Sequence, residues 1–249
     1  MDIHQMTQCI ITVTRNCNLR CSFCYAKEGG YNASEFVPLE EAQKIVDICS
    51  DAEAKYIFLT GGEPTFYPHL FELLSYIRCK PHKMIPTIAT NGILLADYEF
   101  CQRLLDGGIG YVDVSLKGKD QDEWLSVTKF DGYLKQLKAI GNLAKLGADF
   151  TCSMVITPYN VPGFCTAVEN AHNAGAKQFS FTFVIDNDAS ELRDVEYLKH
   201  NAPIKLVDEF MVNVGKLNSI TDGEWWIEYS FPLCVFTQEQ LKVLKNRLA

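Results

Sequence analysis

Apolar positions along the chain follow two rhythms. Short β-branched or aromatic runs at residues 9–14, 56–60, 84–91, 108–117, 150–157 and 177–185 predict strands. Between them, apolar residues recur at helical spacing: in a helix opened by Pro38, then over 68–77, 97–106, 133–146 and 163–174. The first places Leu39, Ala42, Ile45, Val46 and Cys49 on one face behind a helix-starting proline. The fourth lines up Leu134, Leu137, Ile140, Leu143 and Ala144 and stops at Gly147. Beyond the sixth strand, 186–201 is polar and charged and reads as a solvated loop or a lid. A helix follows at 203–217, an added strand at 225–229 and a last helix at 238–248. Strands alternating with helices predict an α/β fold, a parallel sheet with helices outside and right-handed crossovers. Ligands in such sheets bind at the carboxyl ends of the strands.

The 249 residues suffice for one large domain, and 47% hydrophobic with 22% charged residues is an ordinary globular composition. A net charge of −8 argues against nucleic acid or an anionic membrane as partner. Ten cysteines, mostly scattered singly in a chain of this size, predict a reducing, cytoplasmic setting rather than a disulfide framework. Cys9, Cys49, Cys79, Cys101, Cys152 and Cys165 are expected to pack as small apolar residues. Residues 1–8 are polar, and no run approaches the ~20 apolar residues of a membrane span. The five histidines are scattered and predict no metal site.

The chemistry concentrates in Arg15-Asn16-Cys17-Asn18-Leu19-Arg20-Cys21-Ser22-Phe23-Cys24, directly after the first strand. A Cys-x3-Cys-x2-Cys loop can curl three thiolates around one metal centre, and Arg15 and Arg20 are expected to favour the thiolate form. Closed zinc sites and electron-transfer clusters normally take four protein ligands. Three leave a coordination position open to chemistry, although a structural zinc site remains an alternative. The second strand runs into Gly61-Gly62-Glu63-Pro64. There two glycines permit close backbone approach to a ligand, Glu63 offers an acceptor for a cationic group, and Pro64 ends the strand. Thr90 and Asn91 end the third strand, Ser115 and Lys117 the fourth, and Ser153 and Thr157 lie on the fifth. These signals share one predicted edge of the sheet.

Cys17, Cys21, Phe23 and Cys24 resemble the signature loop of the radical SAM enzymes, and Gly61 to Pro64 resemble that family's second-strand GGEP motif. The resemblance covers about residues 8–215 and implies an open (β/α)6 partial TIM barrel. It implies that Cys17, Cys21 and Cys24 hold three irons of a [4Fe–4S] cluster, the fourth being chelated by S-adenosylmethionine (SAM). One electron then cleaves SAM to a 5′-deoxyadenosyl radical that abstracts hydrogen from substrate. Phe23 would lie near the adenine, with Tyr25 counted beside it, and Gly61, Gly62, Glu63 and Pro64 would meet the SAM amino group. Thr90 and Asn91 join the cofactor-binding set, and Ser115 would bond the carboxylate or ribose. Lys117 would support the carboxylate or else be a surface lysine, and Ser153 and Thr157 are further candidates.

The tail resembles the end of the core in SPASM and twitch members, without their auxiliary-cluster domain. A core domain over 1–217 and a C-terminal extension over 218–249 packed on it are therefore expected. Cys234 is a candidate hydrogen-atom donor, or a buried small residue, or a stray cluster ligand. The implied function is modification of a peptide or natural-product precursor, with a flavodoxin- or ferredoxin-like electron donor. Alternatives are a small-molecule enzyme, a glycyl-radical activase, or a non-catalytic metal-binding module.

Overall fold

Strands β1 (Gln8–Thr14), β2 (Tyr56–Gly61), β3 (Ile85–Thr90), β4 (Tyr111–Leu116), β5 (Phe150–Ile156), β6 (Phe179–Phe183) and β7 (Trp225–Ile227) form one sheet in sequence order. Every neighbouring pair is parallel. The computed structural model describes residues 7–24, 35–184, 202–228 and 235–248. The helices are α1 (Leu39–Asp51), α2 (Leu70–Arg78), α3 (Tyr98–Asp106), α4 (Gln121–Thr128), α5 (Tyr133–Lys145), α6 (Phe164–Asn173), α7 (Ala202–Val212), α8 (Val214–Thr221) and α9 (Gln238–Leu244). The fold is an open α/β partial barrel. It is one strand wider than the six-stranded expectation, because Trp225–Ile227 pairs with the free edge of β6.

Side-chain alternation divides the sheet. Ile57, Leu59, Ile88, Val112, Val114, Cys152 and Met154 are buried toward the helices. Thr60, Ala89, Asp113, Ser115, Ser153, Val155 and Thr182 alternate with them on the concave side. An aromatic cluster closes the β6 end. Phe164 of α6 stacks on Phe210 of α7 at 4.8 Å, and Phe181 and Trp225 meet Phe210 edge-on. Such contacts contribute about 0.5–1.5 kcal/mol each beyond area burial and explain why so short a strand as β7 is held.

Several expectations are corrected. The helix expected over 203–217 is two, because Asn213 breaks it: its Nδ2 donates to the Glu209 carbonyl at 3.0 Å, a local side-chain bond that competes with helix continuation. The last helix ends at Leu244. Helix α4 was not foreseen. Its eight residues carry little apolar periodicity, but Asp120 caps it by accepting from the Glu123 N–H at 2.8 Å. Cys79 is exposed at the end of α2, whereas Cys49, Cys101, Cys152 and Cys165 pack as expected. Among the described residues no helix is long and apolar enough to cross a membrane. Tyr25, Cys234 and the 186–201 segment lie outside the described residues.

Candidate functional site

The cysteine loop begins at an irregularity. Register between β1 and β2 shifts between Thr12 and Thr14, which re-aims the chain as it leaves the sheet. The Thr14 hydroxyl donates to the Glu35 carbonyl at 2.9 Å and accepts from the Asn16 N–H at 3.0 Å. Backbone bonds from Arg15 to Glu35 and from Val37 to Val13 tie the loop's two ends together.

The second motif is stitched onto the first. The Gly62 and Glu63 N–H groups donate to the Thr14 and Asn16 carbonyls, both at 2.7 Å. Gly61 adopts φ +139°, and a Cβ there or at Gly62 would collide with the Thr14 or Asn16 carbonyl oxygen. The two glycines thus let β2 seat the cysteine loop, a reason the motif alone did not disclose. From the other side α4 holds the loop: Arg20 and Ser22 donate to the carbonyls of Thr128 and Val127 at 2.8 and 3.1 Å. Leu19, between Cys17 and Cys21, is buried with Trp124 and Ile93.

Among the described residues no three His, Cys, Asp or Glu side chains close on a single ion. Cys17, Cys21 and Cys24 instead line a cavity of about 360 Å³ at the carboxyl ends of the strands. Phe23, Gly61, Gly62, Glu63, Thr90, Asn91, Ser115 and Lys117 line the same cavity. Pro64 does not; it is buried at the start of a 3-10 turn, Pro64–Phe66. Ser153 also lies off the wall, although it stands opposite Ser115 in the β4–β5 register, near Asp113. Thr157 is buried in the turn after β5, where its N–H donates to Asn160 Oδ1. Leu19, Thr60, Ala89, Val155, Thr182, Phe183 and Val184 complete the wall and were missed, because nothing local marks them.

Glu63 is 2% exposed. Its Oε1 accepts from the Thr65 N–H at 3.2 Å and from the Thr65 and Thr90 hydroxyls at 2.6 and 2.7 Å; Oε2 accepts from the Asn91 N–H at 2.7 Å. Burial pushes this carboxyl's pKa up, and the four donors pull it back. Asn91 Nδ2 donates to Asn18 Oδ1 at 2.9 Å, joining the end of β3 to the cysteine loop. Gln136 on α5, also missed, donates to the carbonyls of Asn91 and Ser115 at 2.9 Å each.

The expected cations are corrected. Arg20 spends Nη1 on the carbonyls of Cys17 and Leu19, and Arg15 pairs with Glu35 at 3.3 Å. Burial pushes the Cys17 thiol up to about 11 and Cys21 up as well, and the cation that opposes this at both is Lys117. Lys117 is no surface lysine: it is 8% exposed, donates to Ser115 Oγ at 2.6 Å and lies 5.2 Å from the Phe23 ring centre. The donor set fits an iron–sulfur cluster with a polar organic cofactor beside it. It offers three thiols, bare backbone at two glycines, a carboxylate, an ammonium, and apolar surface from Leu19, Phe23 and Val155.

The radical SAM superfamily model matches residues 11–188. A probable GTP 3′,8-cyclase of Pyrococcus horikoshii is 30% identical over 151 residues, 61% of this chain and 47% of that protein. The structure of anSMEcpe with bound AdoMet superposes with TM-score 0.72 at 18% identity, over 89% of this chain and 63% of that one. SuiB of Streptococcus suis, bound to precursor peptide SuiA, gives 0.68 at 18% identity, over 87% and 47%. The chain spans about half the length of the curated relatives it matches. With the family model covering most of its length and the motif residues lining one cavity, this chain belongs to the radical SAM superfamily.

Proposed function

We propose that the chain holds a [4Fe–4S] cluster through Cys17, Cys21 and Cys24, binds SAM across the ends of β2 to β4, and acts on a peptide or natural-product precursor. The superfamily uses both cofactors. Together, when bound, they supply one-electron cleavage of the sulfonium and hydrogen-atom abstraction. The observation that carries the reading is the shared cavity: three thiols, the Gly61–Gly62 backbone, Glu63, Ser115 and Lys117 all line it.

The residues divide the work by their chemistry. Glu63 Oε2 carries a single bond, to the Asn91 N–H, and so keeps a lone pair for a cationic amino group. Lys117, held by Ser115, presents the ammonium that a carboxylate needs. Phe23 offers an apolar face for a base. Pro64 supports this arrangement from behind, and Ser153 stands beside it, opposite Ser115 on the neighbouring strand. Tyr25 and Cys234 remain proposals, as a cofactor contact and a hydrogen-atom donor.

A peptide-like substrate is favoured over a nucleoside triphosphate by the wall itself. Among the described lining residues Lys117 is the one cation, whereas Leu19, Phe23, Val155, Phe183 and Val184 are apolar. A triphosphate calls for a cluster of cationic donors. The nine cysteines described are all unpaired, which supports a reducing cytoplasmic setting, and a flavodoxin- or ferredoxin-like protein is the proposed electron donor. The test compares 5′-deoxyadenosine release by the anaerobically reconstituted protein with a pool of short peptides and with GTP. Stimulation by peptides alone is expected. Stimulation by GTP alone would overturn the substrate class.

A further inference from the structure

At the amino ends of the strands, the concave face carries a second cavity, of about 410 Å³, that none of the roles above uses. Tyr56, Phe58, Ile85, Thr87, Tyr111 and Asp149 are among the residues that line it. Phe58 and Thr87 stand two residues before Thr60 and Ala89 of the first cavity, and Tyr111 four before Ser115. The two cavities therefore share one sheet face, their floors roughly 13 Å apart along β4.

Register fixes the layout. Ile10, Phe58, Thr87 and Tyr111 run side by side across β1 to β4. Phe58 and Tyr111 thus rise from strands about 10 Å apart, two inter-strand spacings, with the short Thr87 side chain between them. Both rings are half-buried, and neither meets another ring or a cation among the described residues. The Tyr56 ring, by contrast, is already met by Lys55, whose Nζ lies 4.9 Å from its centre. The Tyr111 hydroxyl shares a hydrogen bond with the Thr151 hydroxyl, which fixes its ring, and the Thr87 hydroxyl donates to the Ile57 carbonyl at 3.3 Å.

The charge around Tyr111 is negative. Burial raises the pKa of its hydroxyl, and the carboxylates of Asp113, Asp149 and Glu228 add to the rise. Asp149 is exposed at the rim and makes no ion pair or side-chain hydrogen bond among the described residues. A group seated over Thr87 stands about 5 Å from the strands that carry the two rings, within the ~6 Å reach of a cation–π contact. The hydroxyls inside are spent on the protein, so the cavity offers ring faces and a rim carboxylate rather than free acceptors. Such a wall suits a cation that has no N–H groups to satisfy.

We propose that this cavity is a second ligand site, which takes a methylated ammonium group between Phe58 and Tyr111 with Asp149 at its mouth. The proposal goes beyond the proposed function and does not rest on it. A free choline-type molecule and the trimethylated lysine of a peptide both carry this chemistry.

The test titrates the reconstituted protein, with SAM at saturation to fill the first cavity, against choline and its uncharged isostere 3,3-dimethylbutan-1-ol, read by proton NMR. Wild type is expected to bind choline ~tenfold or more tightly than the isostere, with the methyl signal moved upfield by the rings. Phe58→Leu and Tyr111→Leu keep apolar bulk but remove a ring face, and each is expected to weaken choline ~fivefold while leaving the isostere little changed. Glycyl-trimethyllysyl-glycine, titrated alongside, separates the sources: tighter binding than choline assigns the site to a peptide, weaker binding to a small molecule. Equal binding of choline and the isostere by wild type, binding of neither, displacement of choline by SAM, or choline affinity unchanged in both variants would each overturn the proposal. The wild-type comparison stands even if a variant does not fold.

Discussion

At the scale of single residues, the site is set by who touches whom rather than by residue type. Gly62 illustrates this, since its missing Cβ leaves space for the Asn16 carbonyl of the cysteine loop. Gly62→Ala is expected to destabilise the fold by about 2–3 kcal/mol, from overpacking that backbone cannot relieve, and to lower iron incorporation. Urea unfolding and iron analysis measure both. Cys17, Cys21, Cys24 and Gly61 to Glu63 were legible because their meaning is local, a string with a spacing. Lys117 was ambiguous and Asp113 invisible, because only the sheet brings Phe23, Ser115, Ser153 and Glu228 beside them. The same limit misassigned Arg15 and Arg20: adjacency in sequence said nothing about their carbonyl and Glu35 partners.

Asp113 also carries a pH dependence. Its folded pKa, about 6, lies above its ordinary 3.8 because burial disfavours the charge. Between those values the folded state keeps a proton that the unfolded state has released. Stability therefore falls as pH rises from about 4 to about 6, by about 3 kcal/mol from this group. Asp113→Asn should flatten that fall and be the more stable protein above pH 6. Urea midpoints across this range decide it. An unchanged profile in the variant would show that the carboxyl is not held uncharged by burial.

At the scale of elements, α4 is the part whose importance was least visible. It is short, and its apolar residues lack the stripe that revealed α1 and α5. Yet Thr128 and Val127 at its end accept from Arg20 and Ser22, and Trp124 is fully buried against the cysteine loop. Removing this side chain leaves a large void under the loop. Trp124→Ala is expected to cost about 3–5 kcal/mol and to loosen the loop, seen as faster amide exchange at Arg20 and Ser22. The cap at Asp120 was readable in Asp120-Gln121-Asp122-Glu123, an acceptor three residues ahead of the Glu123 N–H that it binds. By contrast, the break at Asn213 depends on a side chain choosing a nearby carbonyl, which helical periodicity does not record.

At the scale of the molecule, the alternation of strands and helices was enough to place the site. Parallel strands in sequence order put the ends of β1 to β4 side by side, so the cysteine loop, Gly61 to Glu63, Thr90 to Asn91 and Ser115 to Lys117 had to meet. The added strand read at 225–229 is present as Trp225–Ile227, but its place as the seventh strand of the sheet was not legible, because it is held there by the aromatic cluster around Phe210. The central claim is that this meeting point carries cluster-dependent cleavage of SAM. Its most direct test is 5′-deoxyadenosine formation by the anaerobically reconstituted protein given SAM and a strong reductant, beside the Cys17→Ala, Cys21→Ala, Cys24→Ala triple variant. The account predicts product from the wild type, and neither iron–sulfur chromophore nor product from the variant. SAM cleavage retained by the triple variant would contradict it.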